Sequence, residues 1–150
     1  MAAPSFFTPQ RVSRPRPVRR FTLELANKAL PLVKRIVGDI VQAHGRASQC
    51  RELMDRTNGA REQASVQGEL DRAVMRLEEL VDELSNVGVE LKDYEQGLVD
   101  FIGRHEGRDV YLCWKLGEER ITHWHELNAG FAGRKPVSLL KEREPKGSKA

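Results

Sequence analysis

The residues of this chain best suited to chemistry stand close together in the stretch Ile121-Thr-His-Trp-His-Glu-Leu127. Read as an extended strand, it alternates its side chains between two faces, so His123 and His125 project from the same side one pleat apart. Two imidazoles so placed can share one divalent transition-metal ion. A stable site needs a third donor, and those nearby in the expected meander are Asp100, Glu126, Asp93 and Cys113. Glu126 points to the opposite face of a regular strand, whereas Asp100, on a neighbouring strand, is better placed. The set His123, His125 and Asp100 is therefore the candidate metal site. The alternative is two histidines on a solvated sheet face, one of them paired with an acid. Asp100 also lies among apolar neighbours, and an acid there calls for a partner such as Arg104, Arg108 or Arg134.

Other residues offer chemistry of different kinds. Asp93, Glu95 and Asp100 are candidates for acid–base work if burial or a partner moves their protonation. Cys113 can act as a nucleophile only beside a base, with His125 the nearest candidate. Gly130-Phe-Ala-Gly133-Arg134 is a glycine-flanked loop ending in a cation. Gly133 and Arg134 can bind an anion, or Arg134 can simply bond a carboxylate. Trp114, Trp124, Tyr111, Phe101 and Phe131 gather most of the aromatic mass, either as a ligand pocket or as the core where sheet meets helices.

Two long helices must position these residues. Thr22 can cap a helix whose apolar stripe runs through Ala26, Leu30, Val33, Val37, Ile40 and His44 towards Met54. Pro31 inside that stripe predicts a kink or a break, and Gly45 a weak point. Asp55-Arg-Thr-Asn-Gly59 reads as a turn. A second helix over 61–87 carries the coiled-coil-like seam Leu70, Val74, Leu77, Val81, Leu84, and Gly88 is a natural stop. The short connection predicts an antiparallel hairpin over residues 22–87.

After Gly88 the apolar period changes to two. Short strands are expected at 89–91 and 98–102, then 109–116 and 121–127, with a turn at His105-Glu-Gly-Arg108. The fold class is thus α+β: a long antiparallel helical hairpin followed by a small β-meander of about three strands over 89–127, packed against it. Residues 21–137 form one domain in this reading, and residues 1–20 and 138–150 are disordered charged tails that lack periodic apolar residues.

Charge separates the same segments. The chain is 150 residues long with a net charge of +3. Residues 1–20 carry five arginines and no acid, and residues 134–150 carry a net +4. Residues 21–133 are therefore at −6. The basicity lies in the tails, so specific nucleic-acid recognition is not expected of the foldable part. No apolar run approaches the roughly 18 residues of a membrane span. No secretion signal is legible, and Cys50 and Cys113 have no spacing that suggests a zinc finger or redox pair, which predicts reduced thiols and a cytoplasmic location.

From Phe21 onward the chain resembles a bacterial domain-of-unknown-function family, number 2203. The resemblance is carried by Phe-Thr-Leu-Glu-Leu-Ala (21–26), Gly-Val-Glu-Leu-Lys-Asp (88–93) and Gly-Leu-Val-Asp-Phe (97–101). Val-Tyr-Leu-Cys-Trp-Lys-Leu-Gly-Glu (110–118) and Trp-His-Glu-Leu-Asn-Ala-Gly-Phe-Ala-Gly-Arg (124–134) complete it. The family's histidine falls at His125, and the chain departs from the family pattern at Asn128, where that pattern has an aspartate. The resemblance implies a bacterial source and a shared fold unit; it implies no reaction. Two functional expectations follow from the residues. One is a non-enzymatic module that binds a partner or forms a homo-oligomer through its hairpin, whose apolar seam is longer than a small sheet can cover. The other is a metal-binding protein or metal-dependent enzyme built on the His-x-His strand.

Overall fold

A computed structural model describes residues 18–142 of the chain. Helix α1 spans Leu23–Arg56 and α2 spans Ala60–Val87, joined through Thr57–Gly59 into an antiparallel hairpin. Thr22 caps α1 as the sequence predicts, its hydroxyl accepting from Leu25 N at 3.1 Å. Pro31 does not break the helix. It stands in the exposed face of an unbroken α1, where the missing N–H and the ring are tolerated because Leu30, Val33, Ile36 and Val37 on the other side anchor the turns around it. Gly88 stops α2 in the left-handed region, with φ +97° and its N–H on Leu84 and Ser85 carbonyls.

The chain enters the sheet at once after Gly88. Strands β1 (Val89–Asp93), β2 (Leu98–His105), β3 (Arg108–Lys115), β4 (His123–Glu126) and β5 (Lys135–Pro136) lie side by side in sequence order, all antiparallel. The meander is thus larger than the three strands expected, because the chain after β4 turns back and adds a short edge. In contrast, β4 is shorter than residues 121–127. Ile121 leaves the ladder to donate its N–H to Asn27 Oδ1 of α1 at 2.9 Å.

The helices cover one sheet face. Val99, Phe101, Val110, Leu112, Trp114 and Trp124 from the strands meet Leu30, Val33, Val37, Ile40, Leu77, Leu80 and Leu84 from the hairpin. Burying each large side chain contributes about 1.5–3 kcal/mol. Trp114, Trp124 and Phe101 belong to this core rather than to a ligand pocket. Each indole N–H is satisfied by a carbonyl, Trp114 by Glu118 and Trp124 by Pro136.

Both ends of the folded unit reach further than the sequence reading allowed. Arg19 and Arg20, assigned to a tail, are structural. Arg19 Nη1 donates to the Val87 carbonyl at 3.0 Å, at the negative end of α2, and Arg20 grips Asp109. At the other end, Val137–Leu139 forms a 3-10 turn, Lys141 N donates to His105 Nδ1 and Glu142 accepts from Leu23 N. The expectation of disorder for residues 1–17 and 143–150 lies outside the described residues. No helix among the described residues is long and apolar enough to cross a membrane.

Candidate functional site

Side-chain alternation places a polar set on the sheet face that the helices leave free. Val99 and Phe101 enter the core, so Asp100 between them points away. Cys113 alternates in the same way between Leu112 and Trp114 on β3, and on β4 His123 and His125 flank the core residue Trp124. The strands align Asp100 with Cys113 and Cys113 with His123, while His125 stands opposite Tyr111. The segment after β4 closes over part of this face. Leu127, Gly130 and Phe131 bound a small cavity of about 170 Å³ together with Lys92, Leu98, Asp100, Tyr111 and His125.

Under that cover Asp100, Cys113 and His125 are 3%, 0% and 2% exposed, which is unusual for an acid and an imidazole on an outer sheet face. His125 Nε2 lies 3.2 Å from Asp100 Oδ1. Its Nδ1 lies 2.8 Å from the Glu126 carbonyl oxygen, and a carbonyl only accepts, so Nδ1 carries the ring proton. One donor atom each from Asp100, Cys113 and His125 falls within 4.8 Å of the others. Burial pushes the Asp100 carboxyl up from its ordinary range, and the neighbouring His125 and Lys92 only partly offset it. Burial and the Asp100 charge push the Cys113 thiol up to about 12, with Arg134 opposing. His125 lies close to Cys113, but burial and the Asp100 carboxylate oppose the thiolate that the nucleophile considered from sequence would need.

Around the buried set runs a ring of ion pairs. Tyr111 donates to Glu90, at 3.2 and 3.3 Å from its two oxygens. Lys92 pairs with Glu90 at 3.0 Å and lies over the Tyr111 ring. Arg134 reaches the Cys113 carbonyl at 3.3 Å and Glu118 at 2.9 Å, and its guanidinium stacks on Phe131. Burial alone would raise Glu118, but Arg134 and the Lys115 N–H outweigh it and hold the acid low. Arg134 is thus engaged by a carboxylate, which is the structural alternative to the anion-binding loop. Gly133 lies beside Ala129, where a Cβ would meet the alanine at 2.7 Å, so its role is a tight turn.

The candidates named from sequence are divided. Asp100 and His125 come together. His123 shares their face but stands outside the close group, with Nδ1 2.9 Å from Thr122 Oγ1. The three arginines proposed for Asp100 pair with other acids, Arg104 with Asp109, Arg108 with Glu126 and Arg134 with Glu118. Asp93 caps the turn that follows it, accepting from Glu95 N and Gln96 N at 2.8 Å. Cys113, one of the nearby donors considered from sequence but not chosen, joins the group. A signal for it existed, because a two-residue turn at Glu106-Gly107 with φ +50° and +81° sets the register that puts Cys113 opposite Asp100.

A second candidate is the far end of the hairpin. Tyr94, in the β1–β2 turn, stacks on His44 of α1 with ring centroids 5.6 Å apart. Beyond His44 the two helices continue to Arg56 and back from Ala60, and the core cluster includes no residue of that stretch. Ala47, Cys50, Val66 and Ala73 fill the seam between the helices there. Leu53 and Met75 remain 47% and 61% exposed, and Met54, Leu70 and Val74 are half-buried.

A family model described as Uncharacterized conserved protein (DUF2203) matches residues 19–137, and the chain belongs to that family. No curated protein and no solved structure matches it.

Proposed function

We propose that this DUF2203 chain is a non-enzymatic interaction module that self-associates through the protruding end of its helical hairpin. The observation that carries the reading is the mismatch in length between hairpin and sheet. At 1.5 Å per residue, the part of α1 after His44 extends about 18 Å past the stacking of His44 on Tyr94. Two helices alone cannot enclose their apolar residues. Along their junction lies a groove of about 690 Å³, with Met54, Leu70, Val74 and Met75 on its walls and Arg51, Asp55, Gln67 and Asp71 around them.

A second copy is the occupant that this groove suits. Its floor is apolar and its rim bears both signs of charge, so a two-fold axis can set Arg51 of one copy near Asp55 or Asp71 of the other. The product is a four-helix arrangement in which each hairpin supplies the apolar layer the other lacks.

Light scattering on the full chain at micromolar concentration tests this. The expected mass is twice the 17.0 kDa of one chain. The double variant Leu70→Lys, Val74→Glu, far from the sheet, should give a single chain with unchanged helical circular dichroism. A wild-type mass of one chain across the micromolar range would remove the proposal.

A further inference from the structure

We propose that Asp100, Cys113 and His125 together bind one divalent transition-metal ion of the zinc class. The proposal is independent of the hairpin reading. Three observations meet in it. The first is the direction of His125: its ring proton is committed to the Glu126 carbonyl at 2.8 Å, so Nε2 presents a lone pair to Asp100 Oδ1 at 3.2 Å. Two lone-pair atoms this close in a buried place require a positive species to draw them together. A proton can serve for two atoms. The second observation is that a third donor, the Cys113 thiol, lies beside this pair, with all three ligand atoms within 4.8 Å of one another. An ion pair between an acid and an imidazole does not need a sulfur; a metal ion does use one. The third is the support. The three residues rise from three adjacent strands, and a backbone carbonyl orients the imidazole, the outer partner that metal-binding histidines characteristically have.

The donor types narrow the ion. Calcium and magnesium take oxygen ligands, and a set of one oxygen, one nitrogen and one sulfur does not suit them. Zinc and its neighbours, such as cobalt or ferrous iron, accept all three. Three protein ligands leave one position of a tetrahedron open. Asp100 and His125 also line the 170 Å³ cavity beside Lys92 and Tyr111, so the fourth ligand is a water or small anion held there. Binding displaces the Cys113 proton to solvent, since only the thiolate ligates.

The test uses the full untagged chain, stripped with a chelator, and titrated with Zn²⁺ and with Co²⁺. One ion per chain is expected, and the cobalt form should show a thiolate-to-cobalt charge-transfer band with the visible spectrum of four-coordination. Cys113→Ala, a small change in volume, should abolish that band and weaken binding by more than about 100-fold, since even outer partners of a ligand are worth 10–100-fold. His125→Gln should weaken binding comparably. If that variant does not fold, as read by circular dichroism, Cys113→Ala alone carries the test. His123→Ala should change neither stoichiometry nor spectrum. Absence of saturable binding would leave a buried acid–imidazole ion pair and overturn the proposal. So would a cobalt form without the charge-transfer band, or loss of binding in His123→Ala but not in Cys113→Ala.

Discussion

Gly97 and Val37 meet without room for another atom: a Cβ on the glycine would stand 2.9 Å from Val37 Cγ1. The same atom would stand 2.9 Å from Leu116 Cβ, and Gly97 holds φ +72°. This contact seats the β1–β2 turn on α1. Gly97→Ala is expected to cost about 2–4 kcal/mol, from left-handed backbone strain together with overpacking. Gly117→Ala is the control. It has φ +107° but open space around it, so only the strain applies and the cost should be smaller. Urea unfolding of both variants compares them, and equal losses would contradict the packing argument.

Pro31 withholds one hydrogen bond from an otherwise continuous α1, and its ring is exposed. Pro31→Ala restores the N–H that the Asn27 carbonyl can accept and removes no buried surface. The variant should be more stable by about 1–3 kcal/mol. A lowered melting temperature would mean that the proline sets the path of the helix.

Three bonds tie residues 138–142 to the domain. Lys141 N donates to His105 Nδ1 at 2.9 Å, Glu106 N donates to the Lys141 carbonyl at 2.7 Å, and Leu23 N donates to Glu142 Oε2 at 2.6 Å. A chain ending at Val137 loses all three, whereas a chain ending at Glu142 keeps them. At about 1 kcal/mol per bond, the shorter chain should melt clearly below the longer. Calorimetry of the two truncations gives the difference directly.

Asp109 accepts from Arg20 at 2.9 and 3.2 Å, with Arg104 at 3.6 Å. The Arg20 hydrogen bond holds the carboxyl below its ordinary 3.8, against a smaller opposing effect of desolvation. The unfolded chain therefore takes up the proton first as pH falls. The stabilisation is complete above the unfolded value and is lost as pH drops through the folded one. Asp109→Asn should lower the melting temperature at pH 7, and the gap to wild type should close as pH falls through the lowered titration of the folded carboxyl. The pair is partly exposed, so the effect is modest and shrinks with added salt. A gap that persists in acid would point to packing rather than charge.

Much of this architecture was legible in the residue pattern. The stripe Leu30–Val33–Val37–Ile40 and the seam Leu77–Leu84 determined two helices with facing apolar sides, because a period near 3.6 leaves few alternatives. The alternation Val110–Leu112–Trp114 determined a strand and its buried face, and with it the outward side of Cys113. His123 and His125 were likewise placed on one face by alternation alone. What alternation cannot state is which outward residues are neighbours across strands. Only the register of β2, β3 and β4 set Asp100, Cys113 and the two histidines on neighbouring strands, and only the side-chain placement there brought His125, and not His123, to Asp100 and Cys113. Only the return of residues 127–134 over that face buried them. Arg19 on Val87 and Glu142 on Leu23 are likewise contacts between residues 68 and 119 positions apart. A local pattern determines the direction of a side chain because backbone geometry repeats locally. The partner it meets is decided by how distant segments close on one another, and so by tertiary structure.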